Sequence, residues 1–292
     1  MKYLLPFGML VLLFGCAKEK SAEAPTAATT TETTTTTAAE TAPAPARPQT
    51  TVTLSAGSPI PASGVLLWLS ADDAAASAKN GKVQSWQNAL VANVSAQPVH
   101  PDQLPALVPN AINNHAVVRF DGTDQMLMTN IDIAPARMPE GTVVTVFRSA
   151  TDAPVPLRKL YGDDNGSYDR AVGLDNRGNG KNFTFFSGND AAGYFQLAAN
   201  TTYVLVDEYS PKEFSGWVNG AATVTKVAAD WGSGPEDALP NMYLGGTGTS
   251  YSEFWNGDLA EVIIYGRKLS DAERTQVEDY LGQKYGVTMT RR

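Results

Sequence analysis

Cysteine and histidine are almost absent from this sequence. Its 292 residues include one cysteine and two histidines. A single cysteine excludes an internal disulfide bond and a zinc site built from several thiolates. Two histidines exclude a histidine-rich metal centre. The length is enough for one large β-sandwich domain or for two smaller domains.

Charged residues are also scarce, and positive charge is the scarcer sign. Asp, Glu, Lys and Arg make up 18% of the chain, below the roughly 25% of a typical soluble protein. Lys and Arg number 22 against 30 Asp and Glu, so the formal net charge is −8. Because phosphate contacts require a basic face, this balance argues against a nucleic-acid-binding protein. It also argues against a protein that binds membrane surfaces through a polybasic patch.

The N-terminus has the pattern of a lipoprotein signal. Lys2 supplies a positive start, and the apolar run over residues 4–14 has the length of a signal-peptide core and is too short to span a bilayer. The run ends in LFGC at residues 13–16, which resembles a bacterial lipobox and implies lipidation of Cys16. Ala17 after the cysteine is typical of sorting to the outer membrane, and the periplasmic or surface face stays open. The alternative is an ordinary secretory signal with an incidental cysteine.

Composition divides the chain into three segments. Residues 1–15 are the predicted signal peptide. Residues 16–57 contain the cysteine and a tether rich in Thr, Ala and Pro, which has too few apolar residues to offset the entropy of ordering. Fully extended, such a tether reaches on the order of 100 Å. Residues 58–292 show no second linker and no internal repeat, and are predicted to form one domain.

Short runs rich in Val, Tyr, Phe and Thr recur through this domain, separated by Gly, Asn, Asp and Pro. Turn signals occur at residues 121–122, 219–220 and 256–258, and the Asn-Gly pair at 219–220 suits a type I′ hairpin. Because no helices alternate with the strands, the pattern predicts an all-β, two-sheet antiparallel jelly-roll sandwich. The predicted strands are residues 65–69, 116–120, 142–148, 171–174, 183–186, 194–197, 203–208, 216–218, 222–227, 242–244 and 259–265.

One helix is predicted near the C-terminus. Ser270 followed by Glu273 forms a capping box. Val277 and Leu281 form an apolar stripe, which we expect to pack on an edge of the sandwich, and Gly286 is suited to a left-handed C-cap. A weaker helical turn is predicted over residues 72–79.

Segments at both ends of the domain carry a family resemblance. The opening reads VLLWLSAD over residues 65–72 and GKVQSW over 81–86, continues with VVRFDGTD over 117–124, and the closing segment reads GDLAEVIIY over 257–265. These segments resemble bacterial laminin-G-like jelly rolls of the concanavalin A-like lectin/glucanase superfamily. Residues 87–89, Gln-Asn-Ala, depart from that pattern. The resemblance implies two antiparallel sheets packed face to face, and it leaves the function open among lectins, adhesins, glucanases and spacers.

The sequence gives little indication of catalysis. A retaining glucanase of this superfamily carries two Glu, with an Asp between them, at alternate positions of one strand, and no Glu-x-Asp-x-Glu occurs here. Asp207 and Glu208 are adjacent and therefore point to opposite faces of a strand, and Glu261 is alone on its strand. No Gly-x-Ser-x-Gly is present either. We therefore expect no enzyme activity; the alternative is a surface glycoside hydrolase with dispersed carboxylates.

Calcium is the predicted inorganic partner, and no organic cofactor is expected. Ca²⁺ prefers carboxylate, amide and carbonyl oxygens held on turns. Two segments meet that description best and Asp175-Asn176 is a third candidate, although ordinary Asx turns have the same composition. The candidate ligands are Asp163, Asp164, Asn165 and Asp169 in the first segment, with Asp121 and Asp124 in the second.

Aromatic residues in polar loops are the candidate ligand-binding residues. Exposed rings stack on sugar faces while polar groups bind the hydroxyls. Trp231, Tyr251 and Trp255 lie in loop-like sequence, and Trp217 precedes the hairpin turn. The alternative is that these rings cover the ends of the sandwich. Trp68 and Trp86, within apolar or family-matching segments, are predicted to be core residues.

These observations favour a tethered, non-catalytic envelope lipoprotein whose lectin-like domain binds a glycan or another extracellular ligand, with Ca²⁺ as a candidate cofactor. A protein-binding adhesin or envelope assembly component is the alternative, since aromatic loops serve protein interfaces equally well. The expected partners are thus a glycan or a surface protein, together with the membrane through Cys16, and no nucleic acid.

Overall fold

The structure, a computed structural model, describes residues 54, 57–88, 90, 94–163, 170–187, 190–229, 241–248 and 252–291. All of these residues belong to one compact unit, Ala46–Arg292. The predicted signal peptide, Cys16 and nearly all of the predicted tether lie outside the described residues. The predictions about them therefore stay predictions.

Within these ranges the larger sheet has ten antiparallel strands. Its strands are β1 (Val65–Ser70), β2 (Ala78–Lys79), β3 (Lys82–Val83), β6 (Ala106–Ile112), β7 (His115–Asp121), β9 (Gly141–Ser149), β14 (Thr202–Tyr209), β15 (Glu213–Val218), β16 (Ala221–Ala228) and β18 (Asn256–Tyr265). They follow the order β16-β15-β14-β9-β18-β7-β6-β3-β2, and β1 pairs with β18 beside β7.

The smaller sheet has eight antiparallel strands over the same ranges. They are β4 (Trp86–Gln87), β5 (Ser95–Pro98), β8 (Leu127–Thr129), β10 (Arg158–Asp163), β11 (Arg170–Gly178), β12 (Lys181–Ser187), β13 (Asp190–Phe195) and β17 (Tyr243–Leu244). Their order in the sheet is β13-β12-β11-β10-β17-β8-β5-β4. The two sheets form a sandwich, which confirms the predicted all-β, two-sheet antiparallel fold.

Two apolar clusters lie on opposite faces of the ten-stranded sheet. Leu205 and Ile264 belong to the cluster between the two sheets. Val204, Val206 and Ile263, their neighbours along the same strands, belong to a cluster on the outer face. Because successive side chains of a strand point to opposite faces, central strands with apolar residues on both faces need a cover on each face.

The C-terminal helix α1 (Asp271–Tyr285) supplies the outer cover. Its capping box is present as predicted, since the Ser270 side chain accepts from the Glu273 N–H and the Glu273 carboxylate accepts from the Ser270 N–H. Gly286 ends the helix with a φ of 69°. Val277 and Leu281 are buried in the outer cluster, and α1 contacts β14. The prediction that this stripe packs on an edge of the sandwich was wrong, because β14 offers an apolar outer face to cover.

Asn219 and Gly220 both have positive φ, 49° and 79°, as a type I′ hairpin turn between β15 and β16 requires. The weaker helical turn is present as a short 3-10 helix, Asp73–Ser77. Trp86 is fully buried, and its indole N–H donates to the Ser70 carbonyl. Trp68 is half-buried, and its indole N–H donates to Glu261.

Candidate functional site

Three charged residues stand side by side on the outer face of the ten-stranded sheet. Asp258 of β18 pairs in register with Arg119 of β7 on one side and with Arg148 of β9 on the other. Arg119 and Arg148 follow outward-facing valines, Val117 and Val146, at alternate positions, so their side chains emerge on the same face. We call Arg119, Asp258 and Arg148 the Arg–Asp–Arg row.

The carboxylate of Asp258 accepts hydrogen bonds from both arginines. Arg119 Nε donates to Oδ1 at 2.6 Å and its Nη2 to Oδ2 at 3.1 Å. Arg148 donates to Oδ2 through Nε at 3.0 Å and Nη2 at 2.5 Å, and its Nη1 donates to the Ala111 carbonyl at 3.3 Å. The hydrogen bond to Asp258 raises the pKa of Arg119 further. Both guanidinium groups are therefore fixed in orientation by one carboxylate.

The row opens onto a cavity of about 250 Å³. The side chain of Asp258 is 4% exposed, whereas those of Arg148 and Arg119 are 23% and 45% exposed. Water or a ligand can therefore reach the arginines more easily than the carboxylate. The cavity is lined by Arg119, Phe120, Arg148, Ala150, Asn200, Asn256, Gly257 and Asp258.

The backbone at the start of β18 brings the row together. Gly257 has a φ of 152°, and a Cβ at this position would lie 2.3 Å from the Arg148 carbonyl oxygen, so only glycine allows β9 to approach this closely. The sequence predicts a turn over residues 256–258, and that prediction is wrong, because these residues begin β18 (Asn256–Tyr265). The same backbone positions Asn256, whose carbonyl accepts from the Ala150 N–H at 3.0 Å.

The cavity can bind polar groups in several directions. Its lining combines two guanidinium groups, one carboxylate and the carboxamides of Asn200 and Asn256. Carboxamides both donate and accept hydrogen bonds, and a guanidinium donates in a planar fork. Such a mixture suits ligands with several neighbouring hydroxyl or carboxylate oxygens. A hydrolytic pair needs two carboxylates, and the described lining residues contain one.

Two of the predicted aromatic residues, Trp255 and Trp217, belong to the described part of the chain, and neither lines this cavity. Trp255 is 0% exposed and contacts Phe147 with ring centroids 5.7 Å apart. Its backbone N–H donates to the Gly245 carbonyl, which turns the segment inward. Trp217 is 9% exposed, and the Arg274 guanidinium covers it at 4.0 Å from the ring centroid. The interpretation of Trp255 and Trp217 as exposed sugar-stacking rings was therefore wrong, because both rings fill apolar clusters. Trp231 and Tyr251 lie outside the described residues.

The predicted calcium ligands are only partly described. Asp163 is buried, and Asp164, Asn165 and Asp169 lie outside the described residues. The Asp121 carboxylate accepts from the Thr123 N–H at 2.9 Å and from the Gln125 side chain at 2.7 Å, as in an Asx turn. Asp124 is half-buried in the same turn. Across the described ranges no group of three or more His, Cys, Asp or Glu could hold a metal ion.

Two other buried carboxyl groups have structural surroundings. Asp207 points between the sheets, where Tyr161 of β10 donates to its Oδ2. Burial raises the pKa of Asp207 to about 8, and the hydrogen bond from Tyr161 opposes that shift. Glu208 points to the outer face, 3.7 Å from Lys268, as the alternation of the strand predicts.

Glu261 is another buried carboxyl group with protein partners. It accepts hydrogen bonds of 2.6 Å from Trp68, Lys284 and Tyr285. Trp68 belongs to β1, whereas Lys284 and Tyr285 belong to α1. Because Glu261 accepts from both elements through both of its carboxylate oxygens, its role is to join the helix to the sheet.

Sequence reasoning missed the row as a site. Arg119 and Asp258 appeared in the family-like segments and Arg148 at the end of a predicted strand, but none was a candidate ligand-binding residue. The available signal was a charged residue within or next to a largely apolar predicted strand. Asp258 lies 139 positions from Arg119 and 110 from Arg148, so their proximity depends on strand order and register.

Comparison with known proteins supports the fold. No family model matches the chain, and no curated protein matches it significantly. Among solved structures, Trypanosoma rangeli sialidase in complex with sialic acid is similar with a TM-score of 0.54 and 17% sequence identity, over 78% of this chain and 34% of the sialidase. A mutant of that sialidase with trans-sialidase activity gives the same values. This chain therefore spans about a third of those proteins.

A second enzyme shares the architecture. A GH54 α-L-arabinofuranosidase, soaked with a cyclic sulfate inhibitor, has a TM-score of 0.50 and 13% identity, over 70% of this chain and 51% of that enzyme. At these identities the likeness concerns the fold. Within the described residues, no helix is long and apolar enough to cross a bilayer.

Proposed function

We propose that this chain is a non-catalytic glycan-binding protein, and that its β-sandwich binds sugar at the cavity of the Arg–Asp–Arg row. The observation that carries the proposal is the lining of that cavity. Hydrogen-bond donors and acceptors converge there from Arg119, Arg148, Asp258, Asn200 and Asn256. Sugar hydroxyls both donate and accept, so a mixed polar lining can bind several of them at once.

The carboxamides support this assignment because they are available to a ligand. Among the described residues, neither the Asn200 nor the Asn256 carboxamide has a hydrogen-bond partner, since the Ser149 hydroxyl donates to the backbone carbonyl of Asn256, and Asn200 is exposed. The similar solved structures are carbohydrate-active enzymes, a sialidase and an arabinofuranosidase. That similarity supports a carbohydrate ligand as the first class to test.

The same cavity argues for binding rather than hydrolysis. Glycoside hydrolysis generally uses a pair of carboxyl groups on either side of the scissile bond. In the described lining of this cavity, Asp258 is the carboxylate, and both of its oxygens accept from arginines. The test is whether the purified protein releases reducing sugar from a glycan that it binds. Release by the wild-type protein that is lost in Asp258→Asn would overturn the non-catalytic part of the proposal.

A glycan array tests the binding function directly. The full chain is purified in mild detergent and compared with Asn256→Ala, which removes one free carboxamide from the cavity. The matched control is Asn176→Ala, an exposed asparagine in β11 of the other sheet. We expect Asn256→Ala to lose the glycan signal and Asn176→Ala to keep it. A blank array for the wild-type chain, with cross-linking to a surface protein on cells, would instead support the protein-binding alternative.

The tether and the metal complete the proposal. We propose that Cys16 is lipidated and anchors the chain to the outer membrane; palmitate labelling that persists in Cys16→Ser would contradict this.

The segment around Asp163, Asp164, Asn165 and Asp169 is the proposed Ca²⁺ site. A chelator should then lower the melting temperature, since a ligand bound only by the folded state stabilises that state. An unchanged melting temperature at saturating chelator would contradict the proposed Ca²⁺ site.

A further inference from the structure

The cavity of the Arg–Asp–Arg row has an excess of positive charge in an acidic protein. Arg119 and Arg148 contribute two cations and Asp258 one anion, so these lining residues have a formal charge of +1, whereas the whole chain has −8. Arg158, which donates to the Gly122 carbonyl, and Asp121, which pairs with Asn256, flank the cavity with opposite signs. They leave the local excess unchanged.

This excess is available at one side chain in particular. All three nitrogens of the Arg148 guanidinium are engaged, two by Asp258 and one by the Ala111 carbonyl. Arg119 uses Nε and Nη2 on Asp258. Its Nη1 has no acceptor among the described residues, and its side chain is 45% exposed at the cavity mouth. Arg119 is thus an oriented cation with a donor left for a ligand.

An oriented guanidinium selects planar anions. Charge-assisted hydrogen bonds from arginine to a carboxylate are roughly twice as strong as bonds between neutral groups, and their geometry is planar. Asp258 already fixes the plane of the Arg119 guanidinium, so little side-chain entropy remains to be lost when a ligand binds. An uncharged hydroxyl at the same position would use the donor without using the charge.

We infer that the cavity binds a sugar unit that carries a carboxylate, with Arg119 Nη1 donating to the carboxylate and Asn200 and Asn256 contacting hydroxyls. The inference rests on the proposed glycan-binding function and names the ligand class of that site. The volume of about 250 Å³ lies below the roughly 300 Å³ at which pockets for drug-sized ligands begin. One acidic sugar unit of a longer chain is therefore the expected occupant.

A pair of probes that differ in charge tests the inference. The probes are oligogalacturonate and its methyl ester, which has the same sugar chain without the negative charge. The full chain is titrated with each probe at fixed, low salt. We expect the acid form to bind about tenfold or more tightly than the ester, since an added charge-assisted bond changes affinity by about that factor. The preference should fall as salt is raised.

Variants locate the preference at the row. Arg119→Gln should abolish the difference between the two probes, and Arg119→Lys should keep part of it, because the charge remains while the fork is lost. The control is Arg291→Gln, since Arg291 is similarly exposed at 40% and also pairs with a carboxylate, Asp279, at 2.6 Å. It should bind both probes like the wild type. Unchanged melting temperatures of the variants exclude unfolding as the cause.

The other outcomes separate this inference from the proposed function. Two outcomes would overturn the inferred preference for a carboxylate and leave glycan binding in place. One is equal affinity for the acid and the ester, and the other is binding of a neutral glycan that depends on Asn256 and shows no preference for acidic sugars. Equal affinity for a sulfated and a carboxylated sugar would also overturn it, because the site would then recognise charge of any geometry. Absence of binding to every glycan, charged or neutral, would overturn both proposals.

Discussion

Two aspartates of the ten-stranded sheet lie on opposite faces and have very different surroundings. Asp207 points into the space between the sheets, where its partner is the hydroxyl of Tyr161, and the Tyr209 hydroxyl lies 2.8 Å from that of Tyr161. Asp258 points outward and accepts from two arginines. Asp207 is 0% exposed and Asp258 2% exposed, so burial of the aspartate alone does not distinguish them.

The neighbours decide what each carboxyl group can do. A buried carboxylate without a cation is expensive to ionise, and the pKa of Asp207 is accordingly raised to about 8. Asp258 has cations on both sides, and these cations reach the solvent. The inner site thus joins the two sheets and is closed to ligands. The outer site offers charged groups to a ligand, although in the sequence each site is marked only by an Asp in a largely apolar strand.

The largest expected effect concerns the inner aspartate. The folded-state pKa of Asp207, about 8, lies above the ordinary value of about 3.9 in an unfolded chain. Its stabilising contribution is therefore complete below pH 4 and is lost as the pH rises towards 8, by as much as about 1.4 kcal/mol per pH unit. Asp207→Asn should remove this slope, as measured by urea unfolding from pH 4 to pH 8.

The control for that measurement is Asp279→Asn, whose side chain is 58% exposed. It should keep the slope of the wild-type protein. An identical pH dependence of unfolding in Asp207→Asn and in the wild type would show that Asp207 is ionised in the folded protein. The proposed contrast between the two faces would then fail.

A smaller effect is expected at the outer aspartate. Asp258→Ala leaves Arg119 and Arg148 adjacent without their carboxylate, and removing one partner of a buried pair costs about 3 kcal/mol or more. We expect about 3 kcal/mol, because both arginines reach water and part of their charge is solvated. Asp279→Ala removes a carboxylate from an equally short pair with Arg291, but on an open surface it should cost about 0.5 kcal/mol. Equal losses in the two variants, measured by chemical denaturation, would mean that the row is an ordinary surface ion pair.

The strands that sequence predicted well are the long central ones. Residues 142–148 and 259–265 are rich in Val, Ile, Thr and aromatic residues, and they lie within β9 (Gly141–Ser149) and β18 (Asn256–Tyr265). The two-residue strands β2, β3 and β4 were missed, since pairs of that length have no periodicity. Their existence depends on the strands that they pair with.

Other sequence predictions failed where the structure depends on tertiary context. Gly257 suggested a turn, but its φ of 152° serves the close approach of β9. Trp255 lies in polar sequence and is nevertheless buried against Phe147. The candidate site itself needs the register that sets Asp258 opposite Arg119 and Arg148, and register between distant strands cannot be read from one sequence.

The smallest expected effect tests how the inner aspartate is satisfied. Tyr161→Phe removes the hydroxyl that donates to Asp207, which should cost about 1 kcal/mol of stability. Because that hydrogen bond lowers the pKa of Asp207, its loss should raise this pKa further. The decline of stability should still begin near pH 4, the pKa in the unfolded chain, but it should extend to a higher pH, as measured by urea unfolding at increasing pH. Tyr209→Phe, whose hydroxyl contacts Tyr161, should extend the decline less. A decline that ends at a lower pH in Tyr161→Phe than in the wild type would mean that the hydroxyl favours the protonated carboxyl group, and Tyr161 would then be an acceptor from Asp207.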